Sequence, residues 1–102
     1  MTMAGSPTYQ VIWSNKAMAS VNAILMSLRG NPRGLDEFER AIRSVHQQLQ
    51  RTPLSVGTTC RLIGSIEERV ANLELVSLDF AVDIQRQFVL VRDCKLLGLS
   101  NP

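Results

Sequence analysis

Apolar and polar residues alternate with a period of two in the first patterned stretch of the chain, Tyr9-Gln10-Val11-Ile12-Trp13, which predicts a β-strand. Ser14 follows directly and is a favourable helix N-cap, so we expect this strand to lead straight into a helix. Apolar residues then recur at spacings of three and four, as in a helix that buries one stripe. Gly30 and the turn residues 31–34 end this first helix. The apolar positions are Ala17, Val21, Ile24, Leu25 and Leu28.

A second helix is predicted by the most regular apolar repeat in the chain. Asp36 with Arg40 and Glu39 with Arg43 form acid-before-base pairs four residues apart, which belong on its outer surface. Residues 53–57 contain a proline and a glycine and read as the loop that leads back to the sheet. The repeat consists of Leu35, Phe38, Ile42, Val45 and Leu49.

The rest of the chain has the patterns of strands. Residues 58–63 predict a short polar strand, and Gly64-Ser65 with the acidic Glu67-Glu68 reads as its exposed connection. Residues 69–75 predict the next strand. Residues 76–82 alternate cleanly between apolar and polar positions, which is typical of a half-buried strand.

The last strand pattern differs from the others, because Phe88 to Val91 is apolar at every position. A strand that is apolar on both faces is expected in the centre of a sheet. Residues 83–86 read as the hairpin tip that precedes it. The charged residues Arg92, Asp93 and Lys95 mark its end.

This order of elements predicts an α+β fold, β-α-α-β-β-β. Two adjacent helices cannot both be crossovers of a parallel array, so we expect the helical hairpin on one face of a mainly antiparallel sheet. The other face is left free for function. We expect a single domain over residues 9–97, with a disordered N-terminal tail of residues 1–8 and a C-terminal tail of residues 98–102.

Composition narrows the function classes. The chain of 102 residues is 45% hydrophobic, and eleven Lys and Arg against nine Asp and Glu give a net charge of only +2. A strongly basic nucleic-acid-binding protein is therefore excluded, and an anionic partner would need a local patch. The chain has no long apolar run and no basic leader, so we expect a cytoplasmic protein without a membrane partner.

The two cysteines do not predict a metal site. Cys60 and Cys94 lie in strand patterns without the spacing of metal ligands, so we expect both to be buried, reduced thiols. We expect no metal and no cofactor.

Three stretches of the chain resemble the RelE/ParE superfamily of toxins from toxin–antitoxin systems. Residues 9–14 are similar to the opening strand and helix cap of that family, and residues 49–57 resemble its joint between helix and sheet. The segment that begins at Arg69-Val70 and continues through residues 80–83 to residues 89–92 resembles its last three strands. The likeness covers roughly residues 9–97.

The resemblance implies a partner and two activities. The partner is an antitoxin protein, bound in a cleft between the helical hairpin and the sheet. The RelE branch implies cleavage of mRNA on the ribosome, and the ParE branch implies inhibition of DNA gyrase. Ribonucleolytic members line the open sheet with Lys and Arg, because cations must hold the charge that grows on the phosphate. The matching candidates for binding phosphate or RNA are Arg61, Arg69, Arg92 and Lys95.

No catalytic residue is assigned. Ribonucleolytic members often place a Tyr or His near the C-terminus, whereas the one Tyr of this chain is Tyr9 and the one His is His46. His46 lies beside the apolar stripe of the second helix, which is typical of a polar or partly packed histidine. Arg61 and Arg69 are equally typical of solvated strand charges that discourage aggregation.

The sequence therefore predicts a RelE/ParE-like toxin-type protein that binds an antitoxin. One alternative is a ribosome-dependent mRNA endoribonuclease of the RelE type, with the ribosome and mRNA as partners. The other is an α+β interaction domain without toxic activity. Whether the protein is an enzyme is left open at this point.

Overall fold

A computed structural model describes residues 8–73 and 75–97 of the chain. These residues form two α-helices and five strands, so the predicted α+β class is confirmed. The run of strands after the helices has four members, one more than the predicted order β-α-α-β-β-β counts, and each of the four falls on a stretch with a predicted strand pattern. The elements are β1 (Gln10–Trp13), α1 (Asn15–Ser27), α2 (Pro32–Arg51), a short 3-10 helix (Pro53–Ser55), β2 (Thr58–Ile63), β3 (Ile66–Asn72), β4 (Val76–Asp83) and β5 (Phe88–Leu96).

The five strands form one sheet in the order β1-β5-β4-β3-β2. β2, β3, β4 and β5 follow one another as antiparallel neighbours, as short hairpin connections require. β1 pairs with β5 in parallel, with Gln10 opposite Phe88 and Trp13 opposite Val91. The sheet is therefore mainly antiparallel, and its last strand lies inside it, as the apolar pattern of β5 predicts.

Both helices begin at side-chain caps, of which the sequence predicted the one at Ser14; residues 32–34, predicted as part of a turn, form the first turn of α2. The Ser14 hydroxyl accepts a hydrogen bond of 3.0 Å from the backbone N–H of Ala17, and the Asn31 side chain accepts one of 2.9 Å from Gly34. Pro32 occupies the first position of α2, where a backbone N–H would have no acceptor within the helix, so its absence does not destabilise the helix. These caps fix where the chain leaves β1 and where the hairpin reverses.

The core lies between the helical hairpin and one face of the sheet. Phe38, Val45 and Leu49 bring the apolar stripe of α2 into it, and Ala17 and Leu28 contribute from α1. The inward side chains of the two central strands complete it. They are Val76, Leu78, Phe80 and Val82 on β4 and Val89, Val91 and Cys94 on β5.

The structure corrects the ends of two strands. Glu67 and Glu68 lie within β3, opposite Val82 and Ala81, and the connection is limited to Gly64-Ser65. Acidic residues are tolerated in this strand because each one accepts hydrogen bonds from side chains of the sheet. The last strand also does not end at Arg92.

β5 continues past its first charged residue to Leu96. A register shift opposite Asp79 and Phe80 inserts one extra residue, after which Asp93 and Lys95 still pair with β4. The irregularity is a β-bulge, which re-aims the side chains around it. Charged residues in a strand pattern therefore did not mark the end of the strand.

The two cysteines have different surroundings. Cys94 is 2% exposed, in agreement with the prediction, whereas the prediction for Cys60 is wrong. Cys60 is exposed, as are all six residues of β2, because β2 is an edge strand that neither helix covers. Both thiols are free.

Residues 1–7 and 98–102, to which the predicted tails largely belong, lie outside the described residues. Thr8 is exposed and has no regular structure. Within residues 8–73 and 75–97, neither helix is long and apolar enough to cross a membrane.

Substitution of Phe38 tests the assignment of the buried face of α2. Phe38 is fully buried whereas Ile42 is half-buried on the same stripe. We expect Phe38→Ala to lower the free energy of unfolding by about 3–5 kcal/mol, because it leaves a closed cavity in the core. Ile42→Ala should lower it by only about 1–2 kcal/mol, because it removes less buried apolar surface and leaves no closed cavity. Urea denaturation followed by circular dichroism measures both. Equal costs would show that the two side chains are equally buried.

Thiol labelling tests the placement of the two cysteines. Burial raises the pKa of the Cys94 thiol to about 11, so very little thiolate forms at pH 8. We expect one thiol to react rapidly with a disulfide reagent in the native protein and the other only after unfolding. Cys60→Ser should abolish the fast phase, and Cys94→Ser should leave it unchanged. Two fast thiols in the wild type would contradict the burial of Cys94.

Candidate functional site

The sheet face opposite the helical hairpin is not covered by any described element, and we call it the open face. Side chains that are directly paired across neighbouring strands point to the same side of a sheet, so the strand register gives its membership. One row, for example, runs from Arg61 through Glu68, Ala81 and Leu90 to Ile12. The principal open-face residues are Ile12, Thr58, Arg61, Ile63, Ile66, Glu68, Val70, Asp79, Ala81, Leu90 and Arg92.

Four charged residues on the open face form one connected group, which we call the charge network. One carboxylate oxygen of Glu68 accepts a hydrogen bond from Arg61 Nε at 3.2 Å, and the other accepts one from Arg92 Nη1 at 3.0 Å. Arg92 Nη2 donates to Asp79 Oδ1 at 2.6 Å. The network thus joins strands β2, β3, β4 and β5, with two positive and two negative charges.

The hydrogen bonds of the charge network favour the ionised forms of Glu68 and Arg92. Hydrogen bonds from Arg92 and then Arg61 lower the pKa of the Glu68 carboxyl, and the bond to Asp79 raises the pKa of Arg92. A carboxyl group with a lowered pKa is a poor general acid near neutral pH. The arrangement can hold charge in place, but it does not supply a proton donor.

A separate contact ties β5 to α1. Asp93 accepts hydrogen bonds of 2.9 Å from the Ser20 hydroxyl and from the backbone N–H of Cys94, and Lys16 Nζ lies 3.8 Å from it. The bond from Ser20 is the largest of the effects that lower the pKa of the Asp93 carboxyl. This contact orients α1 on the strand beside the charge network.

Arg69 lies on the opposite side of the sheet. Its side chain is 7% exposed, and its guanidinium donates to the carbonyl oxygens of Val56 and Gly57, to the Thr59 hydroxyl and to the Glu67 carboxylate. The guanidinium therefore fastens the loop before β2 onto β3. Its predicted role in binding phosphate stays a prediction, and its present contacts are those of a structural residue.

Gly57 completes this joint between the loop and the sheet. It has a φ of +71°, and a Cβ there would overlap the backbone of Val70 and Ala71. The Gly57 carbonyl can approach Arg69 only because the backbone takes this course.

The structure thus brings two of the four predicted phosphate-binding residues together. Arg61 and Arg92 share the charge network, whereas Arg69 is on the other face. Lys95 is exposed and lies at one end of a shallow depression of about 200 Å³ whose other end is at Val70. Lys95 pairs with Ser77 in the strand register.

The single histidine lies away from the open face. Trp13 Nε1 donates a hydrogen bond of 3.1 Å to His46 Nδ1, and the two rings are stacked at 6.3 Å between centroids. The prediction of a partly packed helical histidine is confirmed. Tyr9 precedes β1, and its backbone N–H donates to the Gln50 carbonyl. Among the described open-face residues there is no His and no Tyr.

A second surface lies on the helical hairpin. A groove of about 210 Å³ between α1 and α2 has an apolar floor that includes Val21, Leu25 and Ile42, and Glu39 and Arg43 form its charged rim. On α1, Met18 and Met26 are 48% and 61% exposed.

Sequence reasoning missed the carboxylates that pair with the basic residues. Glu68 and Asp79 contact Arg92 from different strands. The alternation of β4 placed Asp79 on the polar side of that strand, which was a usable signal. Among the described residues, no group of three or more His, Cys, Asp or Glu is arranged to hold a metal ion.

Comparison with solved structures gives three similar folds. A chain of the toxin–antitoxin complex RelBE2 from Mycobacterium tuberculosis has a TM-score of 0.63 and 18% identity, with 87% of this chain and 91% of that chain covered. A chain of the chromosomal ParDE toxin–antitoxin system from P. aeruginosa has a TM-score of 0.61 and 17% identity, with 91% and 100% covered.

The third similar fold is a chain of the archaeal RelE–RelB complex from Pyrococcus horikoshii OT3, with a TM-score of 0.56 and 14% identity over 91% of this chain and 99% of that one. No protein-family model matches the chain, and neither does any curated protein. The chain has a RelE/ParE-like fold over 87–91% of its length.

Substitution of Arg69 tests its structural role. We expect Arg69→Met to destabilise the protein by about 3–5 kcal/mol, because the buried Val56 carbonyl loses the hydrogen bond from the guanidinium, and the largely buried Glu67 carboxylate loses its ion pair. Arg61→Met is the matched control, since Arg61 is 66% exposed and its loss should change stability by less than about 1 kcal/mol. Denaturant unfolding measures both. A neutral Arg69→Met would refute the anchoring role.

Proposed function

We propose that this chain, with its RelE/ParE-like fold, is the toxin-type component of a toxin–antitoxin module. We further propose that it acts in the cytoplasm, where it binds an antitoxin segment through the helical hairpin and the open face. The observation that carries the proposal is the likeness to chains from three complexes, all of them named as toxin–antitoxin assemblies, over 87–91% of this chain. The fold alone does not fix function, so the surfaces must support the same conclusion.

The exposed apolar side chains support a protein partner. On α1, Met18 and Met26 extend from the hairpin into solvent, and methionine adapts well to partner surfaces. On the open face, Ile12, Ile63 and Ile66 are 41%, 51% and 39% exposed. Large apolar side chains grouped on two surfaces are more than the isolated exposed residues of a typical monomer and are typical of interaction sites.

The grooves of the hairpin fit a helical segment. The floor between α1 and α2 is apolar, and a partner helix would place residues at positions i, i+3 and i+4 into it. Trp13 and His46 lie along the same side of α2, where a further groove begins at Ile42 and Arg43. Together the two grooves form a continuous track along the outer side of the hairpin.

The same surfaces argue against mRNA cleavage. Cleavage of RNA requires a group that removes a proton from the 2′-hydroxyl, a group that protonates the leaving oxygen, and cations free to hold the phosphate. In the described part of the open face, both carboxyl groups of the charge network accept hydrogen bonds from arginines, and Arg61 and Arg92 are paired with them. We therefore propose protein binding, and not ribonuclease activity, as the function of these surfaces.

Co-purification tests the proposed partner. We expect the tagged protein to retain the product of the neighbouring reading frame when the two are expressed together. Hydrogen exchange of the complex should slow around Met18, Met26 and Arg33 and at the sheet end with Arg92 and Lys95. Binding should show a negative heat-capacity change, because apolar surface is buried. The proposal fails if that product does not bind, or if protection is confined to other surfaces.

Two exposed methionines of α1 provide a test by substitution, and one exposed leucine elsewhere provides the control. Replacing both Met18 and Met26 by Asp should weaken binding by at least about tenfold, since the charges would be buried against an apolar partner. Leu54→Asp replaces an apolar side chain that is 40% exposed in the short 3-10 helix, away from the hairpin groove, and should leave the affinity unchanged. Melting curves of the free variants show whether folding is retained.

A further inference from the structure

We propose that Glu68 and Asp79 determine the ligand specificity of the open face, because they engage all three nitrogens of the Arg92 guanidinium and the Nε of Arg61, place two negative charges beside them, and so exclude phosphate polyanions. All four residues of the charge network lie in strands of the described sheet. Exclusion of phosphate follows from their hydrogen bonds and charges, so it does not depend on the identity of the antitoxin.

Glu68 accepts hydrogen bonds from both arginines at once. Its two carboxylate oxygens are divided between them, with Arg61 Nε at 3.2 Å and Arg92 Nη1 at 3.0 Å. Asp79 takes the remaining edge of the Arg92 guanidinium, with Oδ1 at 2.6 Å from Nη2 and 3.3 Å from Nε. A phosphate group would use these same donors in a bidentate contact.

The arginines are within reach of a ligand from solvent. The side chains of Arg61 and Arg92 are 66% and 36% exposed, so a backbone phosphate could approach both if their donors were free. The exclusion is therefore electrostatic and not steric. An incoming phosphate must displace a carboxylate to make a bidentate contact with Arg92, and at either arginine it must approach two negative charges.

The sheet holds the carboxylates where they act. Glu68 is opposite Ala81 in the register of β3 with β4, and its side chain is only 18% exposed. Asp79 lies on the neighbouring strand and reaches the same guanidinium from the other side. Both carboxylates come from inner strands of the sheet, so the strand ladder fixes the backbone positions from which they reach the guanidinium groups.

Removing the carboxylates should therefore create binding of RNA. The test variant is Glu68→Gln with Asp79→Asn, which keeps the shapes of both side chains and removes two negative charges. The control is Asp36→Asn with Glu37→Gln, two exposed residues of α2 on the helical side, which gives the same change in net charge. The probe is a fluorescent single-stranded oligouridylate of 20 nucleotides, measured by anisotropy at 50 and 200 mM NaCl.

We expect weak binding by the wild type and by the control, which should differ by less than about twofold. The test variant should bind at least about tenfold more tightly at 50 mM NaCl, because two arginines become free to contact phosphate. At ~0.7 counterions released per phosphate contact, two contacts correspond to a loss of about sevenfold in affinity between the two salt concentrations. Adding Arg61→Gln and Arg92→Gln to the test variant should remove the gain.

Two results would overturn the proposal. One is tight, strongly salt-dependent binding of the oligonucleotide by the wild type, which would mean that the arginines are already available. The other is a test variant that gains no more affinity than the control. Circular dichroism establishes that the variants fold. If the double variant does not, Asp79→Asn alone should still gain affinity over Glu37→Gln, since Asp79 is 47% exposed and its loss frees an edge of Arg92.

Discussion

The parallel pairing of β1 with β5 is the constraint on which the rest of the structure depends. It joins strands that are far apart in the chain and places the last strand between the first strand and β4. The pairing continues into α1, because the Ser14 N–H donates to the Val91 carbonyl at 2.9 Å and the Ser14 hydroxyl lies 3.3 Å from the Arg92 carbonyl. The helix cap and the strand ladder are thus one structure. Since α1 starts there, both helices lie on one face and the other face remains open.

Much of this fold could be predicted from the sequence, because its signals are local. The cap at Ser14, the apolar stripe of α2 and the turn after Asp83 all depend on residues within a few positions of one another. The parallel pairing of β1 with β5 joins residues that are more than 70 positions apart, so no local pattern in the sequence predicts it. Acidic residues in β3 were misread because the hydrogen bonds that satisfy them come from other strands.

The candidate site was less predictable for the same reason. Arg61 and Arg92 were identified as exposed basic residues, but the sequence does not show that Arg92 reaches across β4 to Glu68 on β3. That contact requires the strand order β5-β4-β3. Arg69 is also an arginine in a strand, yet its side chain points to the helical side of the sheet, where it holds the loop before β2. A basic residue in a strand pattern does not reveal which face it occupies or whether its charge is free.

The balanced charge network also has a consequence for how a partner would arrive. A surface whose positive and negative charges cancel within a few ångströms has little field beyond its own contacts, and the net charge of the whole chain is only +2. Oppositely charged surfaces accelerate diffusional encounter, whereas an unsteered encounter depends on random orientation and proceeds at about 10⁵–10⁷ M⁻¹s⁻¹. The open face is thus suited to a partner that is present at high local concentration, such as a product made alongside it, and that then dissociates slowly.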